Sequence, residues 1–108
     1  MYNFIITQSF LNNQKEYIKS ISKKEIEKYN EIKKRFQINI FDPLLNTHEI
    51  YEKNWVKVFS SYINKVDRII FFYKNPQTIY LYKIMTNHDY NKLLWNIKNV
   101  LNIFLEKF

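Results

Sequence analysis

Apolar positions along this chain recur with two different periods. Tyr2 to Thr7 (YNFIIT) is mostly apolar and partly β-branched, which predicts a first strand. Ser9 follows as a candidate N-cap. Phe10, Leu11, Tyr17, Ile18 and Ile21 fall roughly on one face of a helix running to about Ile21. Ser22 stands three residues before Glu25, a capping-box spacing that marks a fresh helix start. In that second helix, which the pattern carries to about Gln37, Ile26, Tyr29, Ile32 and Phe36 make the buried stripe. Its run of Lys and Glu makes the solvated face.

Asp42-Pro43 breaks the helical pattern and opens a connecting segment, Asp42 to Asn54. Three strands are expected next, Trp55 to Ile63, Asp67 to Tyr73 and Thr78 to Met85. The short polar turns Asn64-Lys65 and Asn75-Pro76-Gln77 separate them. They should form an antiparallel meander. Asp67 to Lys74 (DRIIFFYK) is its central strand, because it is apolar on both faces after its first two residues. A final helix from Asp89 or Tyr90 to the C-terminus carries Leu93, Leu94, Ile97, Val100, Leu101, Phe104 and Phe108 at helical spacing. Two uses of that stripe stay open, packing on the sheet or docking into a partner. The order strand, helix, helix, meander, helix predicts an α+β sandwich, with helices on one side of an antiparallel sheet.

Composition narrows the chemistry. At 108 residues the chain has room for one core, and with 46% apolar and 19% aromatic residues it can build it, so a single domain over 1–108 is expected. The absence of cysteine excludes disulfides, cysteine metal sites and a cysteine nucleophile. The absence of glycine excludes a P-loop and a dinucleotide-binding turn, and hands left-handed backbone positions mainly to Asn. No metal site and no cofactor are expected: there are two histidines, and the ten acidic residues are scattered along the chain. The net charge of +7 points to a polyanionic partner, nucleic acid or an acidic protein. Part of the lysine excess reflects codon bias, since Lys, Asn, Ile, Tyr and Phe share AT-rich codons. No signal peptide and no run of ~20 apolar residues is present, which makes a cytoplasmic protein without a membrane partner the expectation.

Several segments together resemble the RelE/ParE superfamily of toxins from toxin–antitoxin pairs. Met1 to Phe10 (MYNFIITQSF) is similar to its opening strand and the Thr and Phe that follow. Asp42 to Ile50 (DPLLNTHEI) resembles the segment before its meander. Trp55 to Phe71 carries its tryptophan, serine and isoleucine ahead of an Arg-Ile-Ile-Phe strand, and Thr78 to Tyr90 (TIYLYKIMTNHDY) resembles its last strand and the histidine beyond it. Within the superfamily the YafQ- and YoeB-like ribonucleases look most similar. Two departures are plain. Met85-Thr86-Asn87 replaces the small glycine before the histidine, and Tyr90 follows His88 by two residues rather than one or three.

The resemblance implies a RelE-like fold and an mRNA-cleaving endoribonuclease acting on the ribosome, paired with a cognate antitoxin. A homodimer and a toxin–antitoxin hetero-oligomer both stay open. Metal-free RNA cleavage needs a base for the 2′-hydroxyl, a fixed cation for the phosphorane and an acid for the leaving 5′-oxygen. Histidine and arginine suit these roles. Arg68 falls at the family's phosphate-binding arginine; the alternative is a structural pair with Asp67 or another carboxylate. His88 falls at the general acid, or is a helix-start histidine without a role. His48 matches a second family histidine for base or phosphate contacts, with Glu49 and Glu52 as carboxylate alternatives. Asp67 is read as orienting His48 or Arg68, and Tyr90 as stacking on a base or bonding the phosphate, or as packing. Lys53, Lys57 and Lys83 are candidates for a basic RNA-binding rim, and Trp55 for either core packing or base stacking. Three rival readings remain. They are a gyrase inhibitor of the ParE type with the same fold, a non-catalytic RNA- or protein-binding module, and a toxin fold that has lost activity.

Overall fold

Thr7, rather than Ser9, caps the first helix: its hydroxyl accepts a hydrogen bond from the Phe10 N–H at 3.1 Å. The computed structural model describes residues 2–75, 77–86 and 90–106. Its elements are β1 (Asn3–Ile6), α1 (Gln8–Ser20), α2 (Lys23–Ile38), a 3-10 turn (Pro43–Leu45), β2 (His48–Lys53), β3 (Val56–Tyr62), β4 (Arg68–Asn75), β5 (Thr78–Met85) and α3 (Tyr90–Glu106). The Ser22–Glu25 capping box forms as the spacing predicted, with Glu25 N–H donating to the Ser22 hydroxyl at 3.2 Å and the Glu25 carboxylate receiving the Ser22 N–H.

The segment Asp42 to Asn54 is more ordered than the sequence pattern indicated. The Asp42 carboxylate caps the 3-10 turn by accepting from Leu44 N–H at 3.0 Å, and Asn46, at φ 45°, closes it in the left-handed region. β2 then forms a fifth strand that the polarity of His48-Glu49-Ile50-Tyr51-Glu52-Lys53 had concealed. It pairs antiparallel with β3 along one edge.

The sheet order is β1-β5-β4-β3-β2, with the expected meander β3-β4-β5 at its centre and β4 in the middle. The sheet is mixed rather than purely antiparallel, because β1 lies parallel to β5, Asn3 beside Thr78 and Ile6 beside Leu81. The helices also do not share one side. Phe10, Tyr17, Tyr29 and Phe36 of α1 and α2 pack on Phe59, Ile69, Phe71, Ile79 and Ile84. Leu93, Ile97 and Leu101 of α3 pack on the other face, against Val56, Val58, Ile70, Phe72 and Met85. The two-sided apolar run of β4 is the cause: Ile69 and Phe71 point one way, Ile70 and Phe72 the other, so both faces must be covered. Leu93, Ile97 and Leu101 of the α3 stripe are therefore used within the chain, while the side chains of Phe104 and Phe108 lie outside the described residues. Among the described residues no helix is long and apolar enough to cross a membrane.

Candidate active site

On the α3 face, the start of β2, the ends of β3 and β5 and the start of β4 come together. His48 pairs with Ser60, Tyr62 with Arg68, and Arg68 in turn with Met85. Side chains of directly paired residues share a face. His48, Ser60, Tyr62 and Arg68 thus stand on one surface, beyond the apolar ground covered by α3. Bulges lie on both sides of it, in β2 between Glu49 and Tyr51 and in the β4–β5 pair between Ile70 and Phe71. Such irregularities re-aim side chains near functional sites.

Arg68 is the centre of this group. It is only 6% exposed. Its guanidinium lies 3.5 Å from the centroid of the Tyr62 ring, and Nη1 donates to the Asn64 carbonyl at 2.9 Å. Nε is buried with no partner, and so is the neighbouring Ser60 hydroxyl; among the described residues these are the two such side-chain atoms. No carboxylate makes a salt bridge to Arg68 among the described residues. A buried cation and a buried hydroxyl left short of partners on one face is an arrangement that costs stability. It also suits an anionic ligand.

His48 is exposed, and its ring stands edge-on to Tyr62 at 6.3 Å between centroids. Its Nδ1 lies 3.0 Å from the Asn46 carbonyl oxygen. A carbonyl can only accept, so Nδ1 carries the proton and the neutral ring keeps its lone pair on Nε2, the tautomer a general base needs. The left-handed Asn46 places that carbonyl, which makes the turn before β2 part of the site.

The structure does not bring Asp67 to His48 or Arg68. Its Oδ2 accepts from the Tyr17 hydroxyl at 2.8 Å and from Asn64 Nδ2 at 3.0 Å. The Asn64 side-chain oxygen in turn accepts from the Val66 and Asp67 N–H groups at 2.8 and 2.7 Å. Asp67 thus fixes the β3–β4 turn whose Asn64 carbonyl holds Arg68, an indirect role. Burial and then the hydrogen bond to the Asp67 carboxylate push the Tyr17 phenol well above its ordinary pKa.

Glu49 and Glu52 pair with Phe59 and Lys57, on the face of α1 and α2 and away from Arg68. Lys57 lies 3.7 Å from Glu49 on that same face. Lys53 sits at the far end of β2, and Lys83 beside Ser9 and Asn13 of α1. None of these three lysines stands beside Arg68. His88 and the side chain of Tyr90 lie outside the described residues; Met85, three residues before His88 in the chain, is the β5 partner of Arg68. Among the described residues no group of three His, Asp or Glu side chains is placed to hold a metal ion. Sequence reasoning passed over Tyr62 and Ser60. Only the strand register, with Tyr62 opposite Arg68 and Ser60 opposite His48, could have found them.

The architecture, a mixed five-stranded sheet with two helices on one face and a third on the other, is an α+β fold of the RelE type. No protein-family model and no curated protein matches the sequence. Among solved structures the chain is similar to one in the crystal structure of an archaeal RelE–RelB complex from Pyrococcus horikoshii OT3, with a TM-score of 0.59 over 82% of this chain and 97% of that one, at 10% identity.

Proposed function

We propose that this chain is the toxin of a toxin–antitoxin pair and a metal-independent endoribonuclease of the YafQ- and YoeB-like kind, cutting mRNA on the ribosome in the cytoplasm. One observation carries the reading: on a fold of the RelE type, a buried arginine that no carboxylate meets among the described residues and an exposed histidine whose Nε2 keeps the lone pair both stand against Tyr62. His48 takes the proton of the 2′-hydroxyl. The 2′-oxygen attacks phosphorus, and the guanidinium of Arg68 steadies the charge that gathers on the phosphoryl oxygens. The bond from phosphorus to the 5′-oxygen breaks, and that oxygen takes a proton from His88, the position that resembles the family's general acid. The products are a 2′,3′-cyclic phosphate and a 5′-hydroxyl. Tyr62 holds Arg68 in plane, and no cofactor enters.

The related structure is described as a RelE–RelB complex, and a net charge of +7 fits an acidic antitoxin. Induced expression of the native chain should arrest growth and create new mRNA 5′ ends by primer extension. Both effects should be lost in Arg68→Ala and His88→Ala. Arrest with intact mRNA would sink the nuclease and favour a gyrase inhibitor of the same fold. No arrest would leave a binding module or an inactive toxin fold.

A further inference from the structure

Among the described residues three have positive φ: Asn46 at 45°, Asn54 at 51° and Trp55 at 70°. Two of them are asparagine, the residue that a glycine-free chain has to offer such positions. The third is the largest side chain there is. Asn54 and Trp55 form the two-residue loop of the β2–β3 hairpin, closed by the Lys53–Val56 pair. Both loop residues take left-handed backbone, as in the tight turns that normally select Asn and Gly. A bulky residue there is a steric outlier. Burial does not compensate, since Trp55 is 85% exposed. Neither the turn nor the core explains a tryptophan at this position.

We infer that Trp55 is a base-stacking platform for single-stranded RNA, a contact remote from the cleavage site. This rests on reading the chain as a protein that acts on RNA. The ring stands at the tip of a hairpin, with Lys53 and Lys57 on its two strands, in a chain of net charge +7. An open aromatic face on a chain of net positive charge is a surface on which bases stack without sequence preference; Lys57 is paired with Glu49, so the ring itself carries the contact. Its exposed neighbours Glu52, Asn54 and Lys57 are polar. A tryptophan that anchors a protein interface needs an apolar, water-excluding surround, which this one lacks. A stacked base needs only the ring face. β2 runs from His48 to Lys53, so the tip lies about 17 Å along the strand from the histidine. RNA held at the tip and at the cleavage site at once would be positioned over that length.

The test uses the full chain and an oligoadenylate of about 12 nucleotides with 2′-O-methyl sugars, which has no 2′-hydroxyl to attack. In a Trp95→Phe background the tryptophan fluorescence comes from Trp55 alone, since the chain has two tryptophans. The oligonucleotide should quench it. Trp55→Asn should weaken binding by about tenfold in fluorescence polarisation, while Trp55→Phe retains most of the affinity. Trp55→Asn should at the same time raise Tm by about 4 °C, because Asn suits the left-handed turn. A variant more stable than the native chain cannot owe its weaker binding to misfolding. Equal affinity for native and Trp55→Asn, unquenched fluorescence, or no binding at all would each overturn the inference. Cleavage of an mRNA on programmed ribosomes is scored in parallel to separate the two readings. Cleavage with Trp55-independent binding removes the platform and keeps the nuclease; Trp55-dependent binding without cleavage removes the nuclease and keeps the platform.

Discussion

Arg68→Met separates a functional arginine from a structural one, because it keeps an unbranched side chain of similar length and removes only the guanidinium. The native residue gains a charge-assisted hydrogen bond from Nη1 to the Asn64 carbonyl, 2.9 Å long, of a kind worth about 1.5–3 kcal/mol. It gains a stack on Tyr62 at 3.5 Å, worth about 1–2 kcal/mol when desolvated. Against these stands the burial of a cation whose Nε has no partner and which no carboxylate compensates among the described residues, a cost of several kcal/mol. The opposing contributions nearly cancel, and an apolar replacement should change unfolding free energy by no more than about 1 kcal/mol. Urea melts should show an almost unchanged midpoint and an unchanged slope. Cleavage should fall by about 100-fold or more, the usual loss when a preorganised charge at a transition state is removed. A loss of more than about 3 kcal/mol, with residual cleavage that tracks the folded fraction, would show Arg68 to be a structural strut and refute the reasoning.

His48→Ala should leave stability within about 0.5 kcal/mol, since the ring is exposed, and lower cleavage by about 100-fold, both read on the same purified sample. Tyr17 has its folded-state pKa raised by burial and by the Asp67 carboxylate. The stability this contributes is complete below the ordinary phenol pKa of about 10 and is lost as pH rises above it, by up to about 1.4 kcal/mol per pH unit. Urea melts from about pH 9 to about pH 11 should therefore show a midpoint that falls, and falls less steeply in Tyr17→Phe, the rest of the slope coming from the buried Tyr29 and Tyr82 phenols; the substitution itself costs about 1 kcal/mol at neutral pH. A slope unchanged by the substitution would contradict the burial argument. Ser22→Ala should cost about 1 kcal/mol by opening the capping box at the start of α2, and a thermal melt within error of the native one would show the cap to be idle.

The elements with strong periodicity were legible in the sequence, and those set by long-range pairing were not. α2 and its cap, the meander and the central place of β4 follow from local pattern. β2 escaped because edge strands carry charges that blunt their pairing, and His48-Glu49-Ile50-Tyr51-Glu52-Lys53 does not alternate cleanly. An amphipathic stripe tells that α3 buries one face but not which side of the sheet receives it. The continuous apolar run Ile69 to Phe72 was the available hint. Nothing local reports that β1 runs parallel to β5, some 75 residues later in the chain. At the site, Arg68 and His48 could be picked out by residue type, whereas Tyr62 and Ser60 enter only through register. Asp67 looked like a partner of Arg68 because it is adjacent in sequence. Its carboxylate turns instead to Tyr17 and Asn64, while the next residue begins the strand and faces α3.

The most direct test of cleavage through the 2′-hydroxyl is to incubate the purified chain with ribosomes programmed by an mRNA and map the new ends. The account expects fragments with a 2′,3′-cyclic phosphate on one side and a 5′-hydroxyl on the other, absent with Arg68→Met and His48→Ala and absent when the nucleotide 5′ to the cut lacks its 2′-hydroxyl. Intact mRNA, or cleavage that persists without that hydroxyl, would contradict it.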